Sequence, residues 1–412
     1  MIKIHTLTLL IALWLVVSNL SGLTAPILAN TAVNPIHGIH APIGFRWTDA
    51  DRATLGAFHN ADGQNSAPGL VVALSVDMTA ANNSPHILME RDLYDYQKQG
   101  AAILVRMWPQ RFPGGSRDKF DAASGVVSGT PDDAASDIMQ FLSEQQARQG
   151  WHFTNIIPGN EMNIEWPNAL YNQNLLPWAS NDDPLKYRVI NQFMLDLYVA
   201  WQVRVSQPEG RRFQDVNLFF PAIAQDGAAP YFGGFYFYAE DHEPAGNKYD
   251  LLRPAIEAFG KFSWHNYWRP DHAWEDRAIA NFPDWLKQAL VNKQLLGFIT
   301  ESGWSPQTMQ IESPDPVFKI WHNLAPTWWQ VPDGQRSWFT YTQDTELEGR
   351  LFEDDLQYFI ERCSGAAYDQ PAMAQGVAVW LAASNGGFPE AAGLWSDQSP
   401  SRWLRNYAAW NR

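Results

Sequence analysis

The chain has 412 residues, of which 46% are apolar and 18% are charged, so it holds ample material for a sizeable core. Acidic side chains outnumber basic ones by 44 to 29, and the net charge is −15. Such a charge repels phosphate backbones and anionic lipid, which argues against nucleic-acid and membrane-surface partners and leaves neutral substrates open. The single cysteine, Cys363, excludes an internal disulfide, so stability must come from the core.

The first 29 residues have the pattern of an export signal. Lys3 supplies a positive charge, residues 7–17 are almost entirely apolar, and small residues follow. The apolar run is shorter than the roughly 20 residues of a membrane span, although an uncleaved anchor stays open as the alternative. We therefore expect a signal peptide at 1–29, one catalytic domain at 30–412, and a secreted or periplasmic location.

Short apolar runs alternate with longer amphipathic stretches along the rest of the chain. Eight of these runs are continuously hydrophobic, which is typical of parallel strands that are covered on both faces. They lie at 39–45, 70–76, 102–107, 153–158, 216–221, 262–267, 296–300 and 376–381. Amphipathic stretches that predict helices lie between them, at 134–148, 187–205, 274–294 and 347–361.

Eight strands separated by helices predict an α/β fold, and specifically a single closed (β/α)8 TIM barrel. A doubly wound two-domain arrangement is the weaker alternative, because no glycine-rich phosphate loop or linker divides the chain. Long loops rich in Trp, Pro and Gly follow three of the strands, at 108–130, 222–247 and 302–343. They follow the C-terminal ends of strands, which is the barrel face that carries active sites.

Two acidic side chains stand where apolar strands open into loops. The fourth strand leads through Gly159 and Asn160 to Glu161, and the seventh leads through Thr300 to Glu301. Cleavage of an acetal needs one carboxylic acid to protonate the leaving oxygen and one carboxylate to attack the anomeric carbon. A single Glu at a strand end is usually a solvated loop acid, but two at the same end of one barrel indicate a catalytic pair.

Polar and aromatic side chains on other strands would complete such a site. Arg106 lies in the apolar third strand, where Glu301 is its natural partner and an ion pair elsewhere in the barrel is the competing interpretation. His265 and Tyr267 share one face of the sixth strand, and we interpret them as lining the site. Trp380 ends the eighth strand, where its ring could lie under a sugar or fill the core.

Metal chemistry has little support in the sequence. His37 and His40 have HxxH spacing, and neither HxH nor HExxH occurs among the ten His residues. No phosphate-binding loop and no G-x-S-x-G turn is present either. We therefore expect no metal and no cofactor.

These blocks resemble the large clan of retaining glycoside hydrolases on (β/α)8 barrels, which includes cellulase-like and β-galactosidase-like families. Its members carry Asn-Glu after the fourth strand, His-x-Tyr on the sixth, Glu after the seventh and often Trp after the eighth. The matching residues here are Asn160 and Glu161, His265 and Tyr267, Glu301, and Trp380. By order of elements the likeness extends from about residue 35 onward, and by motif it covers only these blocks.

The resemblance implies cleavage of O-glycosidic bonds, expected to be β-linked, in an oligo- or polysaccharide by double displacement. Glu161 would act as the acid/base and Glu301 as the nucleophile. Asn160 would bind the sugar 2-hydroxyl, and Tyr267 would orient Glu301. The remaining substrate-binding candidates are Arg106, His265, Trp304 and Trp380.

Two departures from the clan pattern and two other functions stay open. Met162 follows Glu161 where the clan often has Pro, and Arg106 lies on the third predicted strand where several families carry it on the second. A barrel that only binds polysaccharide through its aromatic rings is one alternative, against which both carboxylates argue. A metal-dependent hydrolase is the other.

Overall fold

The computed structural model describes the chain in separate segments. They are residues 36–40, 70–74, 102–107, 130–165, 183–224, 236–238, 244–268, 282–304, 373–379, 395–396 and 399–400. The expected signal peptide at 1–29 and the predicted helix at 347–361 lie outside them. Within these segments, none of the helices has the length and hydropathy that crossing a membrane requires.

Strands and helices alternate along the described segments. The strands are β1 (Ile36–His40), β2 (Leu70–Leu74), β3 (Ala102–Met107), β4 (Asn155–Pro158), β5 (Asn217–Leu218), β6 (Tyr236–Tyr238), β7 (Pro244–Asn247), β8 (Lys261–Trp268), β9 (Leu296–Trp304), β10 (Ala374–Val379), β11 (Trp395–Ser396) and β12 (Ser399–Pro400). The α-helices are α1 (Pro131–Gln149), α2 (Met162–Glu165), α3 (Pro184–Ser206), α4 (Lys248–Phe259) and α5 (Asp284–Val291). A short 3-10 helix follows α3 at Arg211–Phe213.

One parallel sheet of eight strands organises the fold. Its strand order is β5-β4-β3-β2-β1-β10-β9-β8, so strands that follow each other in the chain lie side by side. The two ends of this order are bonded to each other, because Phe220 just beyond β5 forms a parallel bridge with Phe262 of β8. The Phe220 N–H donates to the Lys261 carbonyl at 2.8 Å, and the Ser263 N–H donates to the Phe220 carbonyl at 3.0 Å. The chain therefore has an α/β fold.

Each of the eight predicted apolar runs overlaps one strand of this sheet. β3 has the predicted bounds, whereas β1 begins at Ile36 rather than at 39 and β10 begins at Ala374 rather than at 376. β9 continues to Trp304, so Glu301 lies within a strand and not after it. The antiparallel hairpin of β6 and β7, inside the long segment at 222–247, was not predicted.

Helix α1 shows how local sequence sets the connections between strands. The Thr130 hydroxyl accepts the Asp133 N–H, and the Asp133 carboxylate accepts the Thr130 N–H, each at 3.1 Å. This capping box, with Pro131 in the first turn, begins the helix at Pro131, three residues before the predicted stretch at 134–148. The helix ends at Gly150, whose φ of 69° suits a residue without a side chain.

Apolar side chains from several strands pack together on one side of the sheet. We call this group the inner cluster; its members are Ala102, Leu104, Ile157, Phe219, Phe298 and Ala378. The rings of Phe219 and Phe298 meet edge to face with centroids 5.4 Å apart. Burial of each large apolar side chain contributes about 1.5–3 kcal/mol. The inner cluster is therefore a buried apolar layer that stabilises the sheet.

Candidate active site

Glu301 is directed to the side of the inner cluster by an irregularity in β9. The register between β8 and β9 shifts so that His265 pairs with Glu301, and Thr300 is the extra residue. Strict alternation from Phe298 would place Glu301 on the opposite face of the sheet. The bulge reverses the alternation and brings Glu301 beside His265, on the same side as Phe298.

Glu161 lies just beyond β4, after a turn that requires glycine. Gly159 has a φ of 110°, which L side chains rarely adopt. Its N–H donates to the Met107 carbonyl at 2.6 Å, which ties the turn to the end of β3. Asn160 is buried directly before the acid, and the Glu161 side chain keeps 19% of its surface exposed. Glu161 is therefore the acid of the pair that solvent and substrate can reach more easily.

A buried guanidinium connects the two acids through a histidine. Arg106 forms an ion pair with Glu301, from Nη1 to Oε1, and places Nη2 3.1 Å from His265 Nε2. On the other side of the ring, His265 Nδ1 lies 2.6 Å from Glu161 Oε1 and 3.3 Å from Glu301 Oε2. We call these four side chains, Arg106, Glu161, His265 and Glu301, the polar network.

The two carboxyl groups are close enough to act on one bond. One oxygen of Glu161 and one oxygen of Glu301 lie within 4.8 Å of each other. Carboxyl groups stand about 5–5.5 Å apart in retaining glycoside hydrolases and about 6.5–9.5 Å apart in inverting ones. The short oxygen–oxygen distance here is compatible with the closer spacing, in which the second carboxylate attacks directly.

Burial gives the members of the polar network different protonation states. It raises the pKa of Glu161 to about 7, and the nearby Arg106 charge opposes this only in part. Burial also lowers the pKa of His265 to about 3, with the Glu301 charge opposing and the Arg106 charge assisting. Near neutral pH the network therefore holds a Glu161 that can gain or lose its proton, a neutral imidazole and a Glu301 that is ion-paired with Arg106.

Glu161, His265 and Glu301 also present three possible metal-ligand atoms. The position of Arg106 argues against a cation at these atoms. Its guanidinium is positively charged and can only donate hydrogen bonds. The His265 Nε2 beside it must accept, so the ring proton lies on Nδ1, the atom that faces both carboxylates. A metal at Nδ1 would force that proton onto Nε2, against the guanidinium. The geometry favours proton transfer over metal binding.

Asn163 is a supporting residue that the sequence did not reveal. Its buried side chain donates to the Ala224 carbonyl at 3.0 Å and accepts the Ala224 N–H at 2.7 Å. These two bonds clamp α2, which follows Glu161 directly, to the segment beyond β5. The only available signal was a polar residue two positions after the acid.

The structure does not describe the side chains of some predicted residues. Tyr267 and Trp304 belong to β8 and β9, where Tyr267 pairs with Gly303, but their side chains lie outside the described structure. Trp380 lies outside the described residues altogether, next to the end of β10. The backbones of His37 and His40 lie in β1. The roles suggested for these five side chains stay predictions.

Distant structural likenesses to this chain include two glycoside-degrading enzymes named for mannan and xylan. A Cellulomonas fimi endo-beta-1,4-mannanase double mutant is 12% identical, with 91% of this chain and 71% of that chain covered at a TM-score of 0.44. A mutant of xylanase A from P fluorescens subsp. cellulosa, in complex with xylopentaose, is also 12% identical, with 93% and 99% covered at a TM-score of 0.44. Neither likeness identifies a function for this chain.

No model of a known protein family matches the chain, and no curated protein matches it.

Proposed function

We propose that this protein is a retaining glycoside hydrolase on a single (β/α)8 barrel, with Glu161 as acid/base and Glu301 as nucleophile. It cleaves O-glycosidic bonds, β-linked by our expectation, in an oligo- or polysaccharide. One observation carries the proposal. Glu161, whose pKa burial raises to about 7, and Glu301, which is ion-paired with Arg106, have oxygens within 4.8 Å of each other on one side of the sheet.

The strand connections support the barrel. Eight parallel strands run in an order whose two ends are bonded to each other, which leaves no free edge at that point. Helices α1 and α3 connect β3 to β4 and β4 to β5, as the repeating strand–helix unit requires. The polar network also fits, because it gathers at the C-terminal ends of the strands.

The first chemical step would use the two acids together. Glu301 attacks the anomeric carbon while Glu161 transfers its proton to the departing glycosidic oxygen, so the sugar–oxygen bond breaks as the ester forms. Arg106 binds Oε1 of Glu301, and Oε2 of the same carboxylate lies 3.3 Å from His265 Nδ1. This arrangement lowers the freedom of the nucleophile before attack.

The second step reverses the roles. Glu161, now a carboxylate, takes a proton from water, and the resulting hydroxide attacks the anomeric carbon and releases Glu301. A pKa of about 7 for Glu161 suits both tasks, because the group can hold or lose a proton near neutral pH. Two inversions at one carbon give net retention.

The proposal extends to the surroundings of the domain. We propose that residues 1–29 direct export and are removed, so the mature enzyme acts outside the cytoplasm, without a metal or cofactor. Sequencing of the N-terminus of the protein recovered from a secreting host would test this. A mature chain that still begins at Met1 would contradict it.

The test of the reaction is a substrate screen followed by trapping. Aryl β-glycosides and plant or microbial polysaccharides are assayed for hydrolysis, and NMR of the first product identifies its anomer. A 2-deoxy-2-fluoro glycoside with a good leaving group should then label Glu301, as peptide mass spectrometry would detect. Inverted product, or label on another residue, would contradict the mechanism.

The same screen separates the two alternative functions. Binding on a glycan array without hydrolysis of any glycoside would indicate a carbohydrate-binding barrel. Hydrolysis that is lost with a chelator and restored by a divalent cation would indicate a metal-dependent enzyme.

A further inference from the structure

His265 is placed differently from an ordinary residue that lines a pocket. Its side chain is 1% exposed, and both ring nitrogens meet charged or acidic groups. Nε2 faces Arg106 at 3.1 Å, and Nδ1 faces Glu161 at 2.6 Å and Glu301 at 3.3 Å. Among the described residues these are its charged neighbours, and they come from β3, the turn after β4, and β9.

The contact with Arg106 decides which ring nitrogen carries the proton. Guanidinium nitrogens have no acceptor capacity, so Nε2 must accept from Nη2. In a neutral ring the single proton then lies on Nδ1. That proton is directed toward Glu161 Oε1, which lies 2.6 Å from Nδ1, whereas Glu301 Oε2 lies 3.3 Å from it.

We propose that His265 is a positioning residue that determines which oxygen of Glu161 carries the catalytic proton. Locked by Arg106 as the Nδ1–H tautomer, the ring donates to Oε1 of Glu161. The carbonyl oxygen of a carboxylic acid is its better acceptor, so the acid proton is held on Oε2. This inference rests on the proposed function, because it assigns a task within the same reaction.

The arrangement also explains why a histidine can stand between two acids without competing for the proton. Burial lowers the pKa of His265 to about 3, so the ring stays neutral at the pH where Glu161 titrates. When Glu161 loses its proton to the leaving group, the Nδ1–H remains to stabilise the new carboxylate. The same hydrogen bond thus serves the acid before the first step and the base before the second.

Two substitutions separate the nitrogen atoms of the ring. In His265→Asn the side-chain amide reaches about as far as Nδ1 and can still donate to Glu161. In His265→Gln it reaches about as far as Nε2, so it can accept from Arg106 and loses the donor to Glu161. The pair therefore removes one contact at a time.

We expect His265→Gln to lower kcat on substrates with poor leaving groups by about 100-fold, with KM little changed, because acid catalysis is impaired. Substrates with activated leaving groups should lose much less. The alkaline limb of the pH profile should move to higher pH, because the ionised Glu161 loses a hydrogen-bond donor. In His265→Asn, kcat should fall less, and the alkaline limb of the pH profile should stay where it is in the wild type. A purely structural role would instead affect both variants equally, with no dependence on the leaving group, and that result would overturn the proposal.

A direct measurement does not depend on either variant having activity. The protein with nitrogen-15-labelled histidine is examined by NMR between about pH 5 and 8, and the His265 signals are identified by their loss in His265→Gln or His265→Asn. We expect Nδ1 protonated and Nε2 unprotonated across this range. A ring protonated on Nε2, or on both nitrogens, would overturn the inference.

Two different results would distinguish failure of the positioning role from failure of the proposed function. Protein that cleaves glycosides with retention, but has His265 protonated on Nε2, would overturn the positioning role alone. Protein that cleaves no glycoside, yet has the proton on Nδ1, would overturn the proposed function and with it the catalytic task of that proton.

Discussion

The inner cluster and the polar network use the same strands but differ in chemistry. β3 contributes Leu104 to the cluster and Arg106, two residues on, to the network. β9 contributes Phe298 to the cluster and Glu301 to the network. One layer of this side of the sheet is thus wholly apolar, and the next holds two acids, a histidine and an arginine.

Burial controls the electrostatics of the polar layer. The side chains of Arg106 and Glu301 are 1% and 5% exposed, so water screens their ion pair less than it would at the surface. Burial also raises the pKa of Glu161. Stability and reactivity should therefore respond differently when each layer is altered.

The largest effect should follow removal of the proposed nucleophile. Glu301→Gln should lower turnover on the order of 10⁴-fold or more, as loss of a covalent nucleophile does. It also leaves Arg106 as an uncompensated buried charge, which should cost about 3 kcal/mol of unfolding free energy. Steady-state kinetics and urea denaturation measure the two effects.

A matched control for this change is Glu257→Gln on α4, which removes a half-exposed acid paired with Arg253. Exposed pairs of this kind contribute at most about 1 kcal/mol, so both turnover and stability should stay near the wild-type values. Wild-type turnover in Glu301→Gln would exclude Glu301 as nucleophile.

The next largest effect should follow removal of the acid. Glu161→Ala should slow substrates with poor leaving groups by about 10²–10⁴-fold, because their departure needs a proton. Activated aryl glycosides need no proton for the first step, so they should accumulate the glycosyl-enzyme and show a burst. Azide should restore turnover and yield a β-glycosyl azide, detectable by mass spectrometry. Equal losses on all leaving groups, without azide rescue, would argue against this role.

The strands and the pair of acids could be predicted from the sequence. A continuous apolar run is a local signal, and the runs that contain β3 and β9 needed no tertiary information to be recognised. Glu161 and Glu301 could be singled out because two acids follow such runs at the same end of one predicted barrel. Arg106 stands out because an arginine inside an apolar run is costly to bury without an anion, and Glu301 is the suggested partner.

The face of the sheet on which Glu301 lies could not be predicted in the same way. The bulge at Thr300 depends on the pairing between β8 and β9, which are separated in the chain by α5. No local sequence pattern indicates it. The contacts of His265 are equally non-local, since they join four elements. Its two ring nitrogens could be assigned only after Arg106 and Glu161 were placed on either side.

The inner cluster gives the contrasting prediction. Phe298→Ala should lower the free energy of unfolding by about 3–5 kcal/mol, because a large buried ring leaves a cavity against Phe219. Turnover per folded molecule should change far less than in Glu301→Gln. Val203→Ala on the exposed side of α3 is the control, and it should stay within about 0.5 kcal/mol of the wild type. A loss in Phe298→Ala no larger than in this control would mean that the cluster is not a core.

The smallest effect links the two layers through pH. The pKa of Glu161 rises from 4.5 to about 7 on folding, so the folded protein binds this proton more tightly than the unfolded chain does. The stabilising contribution is complete below about pH 4.5 and is lost as the pH rises to about 7, with a total of at most about 3 kcal/mol. Glu161→Gln cannot ionise and should lack this component, so its stability relative to the wild type should increase across that window. Denaturation curves at pH 4.5, 6 and 7.5 would measure the difference, for which Glu257→Gln provides the baseline. A constant difference in stability over the whole window would mean that water reaches Glu161 freely and that folding does not raise the pKa of this acid.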